Sequence, residues 1–358
     1  MPTLTMKLEL MKPTRHKQAI YRQMTELNTR FANWLLGYEE LARATSAHFR
    51  KFSDEKLPSA IVNQTIREVT SKKKNQKAKI FRRQWCVYNN QNFRIEHENG
   101  QYKVSFPTQE KRVGVPVVAK AHQLKRLELA LSEGANIGTA MLHEKKGKWF
   151  VSVSFAFATP KPAETAKKMM GIDVGLDFLA VGSIGTHACF FSGREVAFHR
   201  RRHAARRKQL GKAKKLNAIR KSKGKEAQWM KEMNHLISRR LVDFAVANGV
   251  RTLRMEDLTG IRHSAKSKKE AGRNLHSWAH YQLQEFIAYK AAMAGIQVEY
   301  VKPDYTSQTC KCGHAEKANR KRHVFRCRTC GYQLHADLNA AINIAKAISG
   351  LSATKKAG

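Results

Sequence analysis

Lys168-Met-Met-Gly-Ile-Asp-Val-Gly-Leu-Asp-Phe-Leu-Ala-Val-Gly-Ser183 is the stretch on which the reading of this chain turns. Met169, Ile172 and Val174 read as a strand, Gly175-Leu176-Asp177 as a tight turn, and Phe178 to Val181 as a second strand. Asp173 lies inside the apolar run. A buried carboxylate is costly unless something pairs with it, and a divalent cation is the obvious candidate. Gly171 and Gly175 lack side chains and are expected to let a ligand backbone approach on either side. Taken alone, the stretch is equally well a hairpin whose aspartate caps a turn.

Two further acids lie downstream. Thr252-Leu-Arg-Met-Glu-Asp-Leu258 reads as a short strand ending in carboxylates, and His335-Ala-Asp-Leu-Asn-Ala-Ala-Ile-Asn-Ile-Ala345 places Asp337 in the first turn of an amphipathic helix. Singly, Asp337 is a helix-start charge favoured by the dipole, and Glu256 a solvated strand end. Asp173, Glu256 and Asp337 in this order predict an RNase H-like α/β sheet holding two Mg²⁺ ions. Such a pair clamps the attacking and leaving oxygens of a phosphodiester.

The chain has 358 residues, 42% of them hydrophobic, and a formal charge of +39. Ordinary apolar content with so extreme a charge describes a folded protein with a polyanionic partner rather than a basic disordered tail. Nucleic acid fits better than a membrane surface, because no stretch reaches the ~18 apolar residues of a spanning helix. Thr3, Leu4, Met6, Leu8 and Leu10 alternate as a strand does, unlike a signal peptide. Four of the six cysteines fall between Cys310 and Cys330, while Cys86 and Cys189 sit apart in apolar strands as core thiols. This usage suits a metal in a reducing cytoplasm rather than a disulfide framework.

Following the opening strand, Arg15 to Lys51 is expected to form one long helix, with Ile20, Met24, Leu27, Phe31 and Leu35 on its apolar face. A second begins at Pro58-Ser59 and ends in a lysine run, Lys72-Lys73-Lys74. Residues 80 to 158 change to strand periodicity. Asn99-Gly100 is a hairpin turn, Val113 to Val118 and Ile137 to Leu142 are strands, and Trp149, Val151, Val153, Phe155 and Phe157 alternate strictly. These elements predict an antiparallel β-barrel with the helical pair inserted after its first strand. Thr159-Pro-Lys-Pro162 is the expected linker to the second half.

In that half, His187 to Phe191 is a third strand. Arg200, Arg201, Arg202, Arg206, Arg207, Lys208, Lys212, Lys214 and Lys215 then follow without an acid until Glu226. Cations at this density release counterions from phosphates and give salt-sensitive, sequence-independent affinity. Met233, Leu236, Ile237, Leu241, Phe244 and Ala245 mark a helix that should pack on the sheet, followed by a helix from Trp278 to Ala294 and a strand from Gln297 to Val301. Cys310-Lys-Cys312-Gly-His314 and Cys327-Arg-Thr-Cys330-Gly331 are the two turns of a zinc ribbon, closed to catalysis when all four ligands come from protein. The first turn is one residue short of the usual spacing. Either Cys310, Cys312, Cys327 and Cys330 share the ion, or His314 or His323 replaces one thiolate.

With Gly171-Ile-Asp-Val-Gly175, Met255-Glu-Asp-Leu258, Tyr305-Thr-Ser-Gln-Thr-Cys310, Cys327-Arg-Thr-Cys-Gly331 and His335-Ala-Asp-Leu-Asn339 in place, the chain resembles TnpB, the transposon-encoded RNA-guided nucleases related to type V CRISPR effectors. The likeness is tight over residues 168–349 and architectural before them. It implies a wedge barrel (1–12 and 77–162), a helical recognition insertion (13–76), a RuvC-like nuclease domain (163–304 and 335–349), a zinc ribbon contacting target nucleic acid (305–334) and a tail (350–358). It further implies a guide RNA and a target double-stranded DNA as partners. Asp173, Glu256 and Asp337 are the implied Mg²⁺ ligands, and base pairing reads most of the target. A nuclease-inactive guided repressor and a guide-independent structure-specific nuclease are the rival readings; the presence of all three acids favours the enzyme. Oligomeric state is not legible.

Overall fold

The computed structural model describes residues 3–76, 78–132, 135–160, 166–222, 224–258, 280–302 and 305–347. Trp278 and the tail after 347 lie outside the described residues. The chain divides into two compact units, Met1–Ala158 and Thr159–Gly358.

In the first unit, β1 (Thr3–Leu10) pairs antiparallel with β7 (Lys148–Ala156) on one side and β5 (Arg112–Val118) on the other. Among the described residues the sheet has the order β2-β6-β7-β1-β5-β4-β3, with β2 Cys86–Tyr88, β3 Arg94–Glu98, β4 Gln101–Pro107 and β6 Asn136–Lys145. Alternation drives this arrangement: Met6, Leu8, Leu10, Trp149, Val151, Val153 and Phe155 all point into one core. Asn99 and Gly100 both take positive φ (50° and 74°), as a two-residue β3–β4 turn requires. The ladder leaves β2 and β3 as edges, so the expected barrel is observed as a seven-stranded antiparallel sheet. Its ends are drawn together by side chains, Tyr88 of β2 lying 5.3 Å from Phe106 of β4 and donating to the Pro107 carbonyl at 3.1 Å.

The inserted helices depart from expectation in one respect. Helix α1 (Arg15–Gly37) buries Ile20, Met24, Leu27, Phe31 and Leu35 as their spacing demands, but it stops at Gly37, far short of Lys51. The chain then folds back through short turns to α2 (Phe49–Phe52), which sets Phe49 against Phe31 at 4.9 Å. A continuous helix would hold those residues about 27 Å apart. Burying the Phe31–Trp34–Phe49–Phe52 cluster therefore outweighs continuing the helix. Helix α3 (Ser59–Gln76) closes this second core. One element escaped the periodicity altogether: α4 (Ala121–Ser132) lies between β5 and β6, burying Leu127 and Ala130.

The second unit is built on a mixed sheet ordered β10-β9-β8-β11-β12. Strands β8 (Lys168–Asp173), β9 (Phe178–Ile184) and β10 (His187–Ser192) form an antiparallel meander, while β11 (Val250–Glu256) and β12 (Gln297–Val301) join β8 in parallel. This is the strand order expected of an RNase H-like sheet. The basic segment forms α5 (Arg194–Lys212) and α6 (Leu216–Ser222). Helices α7 (Lys225–Ala247) and α8 (His280–Met293) supply Ile237, Leu241, Ala245, Leu283 and Ile287 to its core. Leu236, expected to face the sheet, is 45% exposed, and Met230 and Val242 take the inward positions. A small sheet, β13 (Arg320–Lys321), β14 (Val324–Arg326) and β15 (Gln333–His335), leads directly into α9 (Ala336–Lys346).

Candidate functional site

Asp173 is the last residue of β8 and Glu256 the last of β11. The two strands run parallel with Met255 opposite Ile172, so the ladder delivers both carboxylates to one sheet edge. Parallel strands present their carboxyl ends together, which is where α/β sheets place their chemistry. Asp337, only 6% exposed, enters from the first turn of α9. What allows that approach is Gly171. A Cβ there would overlap the Ala341 carbonyl and the Ala345 amide, so the glycine admits a helix of this chain, not the backbone of a ligand.

Burial, followed by the charges of Glu256 and Asp337, pushes the Asp173 carboxyl up to about 7; Arg320 and the Val174 amide act in the opposite direction. Burial also raises Glu256, against the pull of the Thr306 hydroxyl and of Arg320. Thr306 donates to Glu256 Oε1, and Gln284 donates to the Glu256 carbonyl at 2.8 Å. Arg320 Nη2 meets Asp337 Oδ1 at 2.7 Å. Asn343 holds the Thr306 carbonyl at 2.7 Å and Asn339 the Thr309 carbonyl at 2.9 Å, tying the segment from Thr306 to Thr309 over α9. Three desolvated carboxylates with one guanidinium carry an uncompensated negative charge and offer only oxygen, the donor set that hard cations take.

Among the described residues, Cys310, Cys312, Cys327 and Cys330 bring their sulfurs within 4.8 Å of one another. Cys310 and Cys330 are 3.6 Å apart and Cys312 and Cys327 3.7 Å. A tetrahedral ion with metal–sulfur bonds near 2.3 Å requires about 3.8 Å between ligands, so the four thiols fit one. The shortened first turn is thus accommodated without a histidine. His314 faces Asn319 (3.4 Å) and Glu316 (3.8 Å) instead, and His323 lies with the acids. Backbone amides of Cys330 and Thr329 lower the Cys327 thiol to about 6, favouring the thiolate a metal binds, whereas burial pushes Cys310 up to about 12.

Of the nine cations singled out on α5 and beyond, Arg200 and Arg207 turn to Glu226 and help pin α5 to α7. Arg201, Arg202, Arg206, Lys208, Lys212, Lys214 and Lys215 are exposed. Sequence reasoning missed Arg320, Thr306 and Asp177, and offered His323 only as a stand-in for a thiolate of the zinc ribbon. Thr306 belongs to a motif already quoted, but nothing distinguished Arg320 from the other cations of its loop.

Together these features define an RNase H-like α/β protein with a four-cysteine module set just ahead of its last acid. The model of the Cas12f1-like TNB domain matches residues 280–344. The CRISPR-associated endodeoxyribonuclease Cas12f1 of Sulfoacidibacillus thermotolerans is 29% identical over 353 residues, covering 87% of this chain and 82% of that one. The TnpB-like protein MJ0751 of Methanocaldococcus jannaschii is 36% identical over 152 residues, covering 42% of this chain and 54% of the relative. In fold, the chain follows the protein in a cryo-EM structure of a Cas12f1–sgRNA–target DNA complex, with a TM-score of 0.72 and 19% identity over 93% of this chain and 83% of that one. The chain is thus similar in sequence and in fold to members of the TnpB/Cas12f family. Among the described residues no helix is long and apolar enough to cross a membrane.

Proposed function

We propose that this protein is an RNA-guided DNA endonuclease that hydrolyses phosphodiester bonds at Asp173, Glu256 and Asp337. The observation that carries the reading is the delivery of three carboxylates to one sheet edge, where desolvation, reinforced by the charges of Glu256 and Asp337, holds Asp173 near 7. Mg²⁺ is the cation this oxygen set suits; when bound, it stabilises charge on the phosphate and activates a water. The protein's own groups prepare the place. Asp173 and Glu256 would hold the cation from the strand ends, Thr306 orients Glu256 by donating to it, and Arg320 pairs with Asp337.

The four thiols hold a structural Zn²⁺, which orders the small sheet and through β15 sets the start of α9. The exposed cations of α5 and α6 bind the nucleic-acid backbone. The antiparallel sheet of the first unit acts as the wedge, its helical insertion as the recognition element, and a guide RNA supplies target specificity by base pairing. The relatives' names, an endodeoxyribonuclease and TnpB-like proteins, support this assignment.

The test is to sequence the RNA that copurifies with the full chain, then assay Mg²⁺-dependent cleavage of DNA matching it. A defined structured RNA that directs cleavage is the expected result. Random cellular RNA with unguided cutting would make the protein a generic nuclease, and guided binding without cutting would make it a repressor.

A further inference from the structure

Beside the three acids lies a second group of metal-ligating side chains that the reading above does not use. His323, in the turn between β13 and β14, and His335, at the end of β15, each bring a ring nitrogen, and Asp337 a carboxylate oxygen, within 4.8 Å of one another. The ladder sets this up, because Val324 pairs with His335 and so places the β13–β14 turn beside the start of α9. The two imidazoles stand nearly parallel, 5.7 Å between centroids. Phe178 and Phe190 wall the recess, their rings 5.0 and 5.4 Å from His335 and nearly perpendicular to it.

Hydrogen bonding leaves this group unfinished. The Nδ1 atoms of His323 and of His335 are both buried, and neither has a hydrogen-bond partner among the described residues. A buried ring nitrogen without a partner is destabilising, and here two such atoms sit beside one carboxylate. Nε2 of His323 lies 3.6 Å from Asp177 Oδ2. Metal-ligating histidines commonly direct their second nitrogen to a carboxylate in this way, which fixes the tautomer and leaves the other nitrogen as ligand. Arg320 occupies Oδ1 of Asp337, and a carboxylate has a second oxygen with which to ligate.

We propose that His323, His335 and Asp337 form a binding site for a divalent transition-metal ion, separate from the thiol cluster and sharing only Asp337 with the oxygen-only acid centre. Two imidazoles and one carboxylate select ions that accept nitrogen, such as Zn²⁺, Co²⁺ or Ni²⁺, over Mg²⁺, which prefers oxygen and retains its waters. Three protein ligands leave a position for water, unlike the closed thiol site. An ion would draw the three donors from their present spread to about 3.4 Å apart, the edge of a tetrahedron with bonds near 2.1 Å. Because Asp337 belongs to both centres, occupancy here gives transition metals a direct hold on the acid centre.

The experiment titrates Co²⁺ into the purified full chain with its thiol cluster already loaded with zinc. With Mg²⁺ in excess to fill the oxygen-only acid centre, one additional cobalt per chain is expected, with weak d–d absorption and no sulfur-to-cobalt charge-transfer band, and with nitrogen in its first shell by X-ray absorption. His323→Gln and His335→Gln should each weaken that binding at least about 10-fold while retaining the zinc of the thiol cluster, which verifies the fold. Asp173→Asn should keep the added cobalt. Loss of cobalt in Asp173→Asn but not in the histidine variants would place the ion at the acid centre and overturn the proposal. So would cobalt that appears only with the sulfur band, or unchanged affinity in both histidine variants. None of these readouts depends on cleavage, so a failure to cut guided DNA would leave them unaffected.

Discussion

Arg320 Nη2 sits 2.7 Å from Asp337 Oδ1, so the small thiol-bearing module contributes a cation directly to the acid at the start of α9. The same guanidinium favours the charged forms of Asp173 and Glu256. One residue of the module therefore biases Asp173 and Glu256 toward the ionised state in which cations bind.

Arg320→Ala should accordingly raise the pKa of Asp173 and of Glu256. The acid limb of the cleavage pH profile should move up by about one pH unit, the usual effect of an opposite charge at this range. Arg320→Lys, which keeps the charge, should move it less. An unshifted profile in Arg320→Ala would show that the guanidinium does not tune the acids.

Asp173→Asn should reduce cleavage about 10³-fold or more, equivalent to about 4 kcal/mol of barrier, while guide and target binding stay near wild type. Glu256→Gln and Asp337→Asn should behave alike, and double variants should lose little more, because the acids act as one unit. Cleavage assays run beside mobility-shift assays on one guided target decide this. Near wild-type cutting by Asp173→Asn would remove it from the site.

Asp173 also makes the metal-free protein pH-sensitive. Its folded pKa of about 7 lies above the ordinary carboxylate value of 3.8. Between those values the folded state binds more protons than the unfolded chain, so stability falls as pH rises through the window. Thermal melts without divalent ions should show the midpoint dropping from pH 4 toward pH 7, at roughly 2–4 °C per kcal/mol. Mg²⁺ should restore it at pH 7, and Asp173→Asn should flatten the dependence.

Gly171→Ala is expected to separate fold from chemistry at a single methyl group. Its Cβ would meet the backbone of α9 at Ala341 and Ala345, where no side chain can rotate away. The cost should be on the order of 1–3 kcal/mol, and the displaced helix should take Asp337 with it. Denaturant melts and cleavage together test this; full activity in the variant would mean that α9 is not held there.

Cys327→Ser should abolish zinc binding and, with it, ordering of the segment from β13 to α9. Structural zinc supplies apparent binding energies on the order of 10–16 kcal/mol, so the effect on cleavage should be severe. Metal analysis should give about one zinc per wild-type chain.

How much of this was legible beforehand follows from the range of each signal. Period-two alternation, the Asn99-Gly100 turn, the paired cysteines and the order Asp173, Glu256, Asp337 are all local patterns. Side-chain direction in a strand and ligand spacing in a metal turn depend only on neighbouring residues. The sequence alone accordingly determined the mixed sheet, the carboxylates at its edge and the thiol module before the last helix. Other features depended on packing between distant segments. Helix α1 ends at Gly37 because Phe49 returns to Phe31, and Gly171 serves α9 rather than a ligand. Arg320, one cation among sixty-seven lysines and arginines, acquires its role only where folding brings its guanidinium to Asp337 at the start of α9. His323 and His335 likewise share a carboxylate because the β14–β15 register brings them together. Local chemistry is written in the chain, but strand register and helix approach are resolved only when the core packs, and they decide which charges meet.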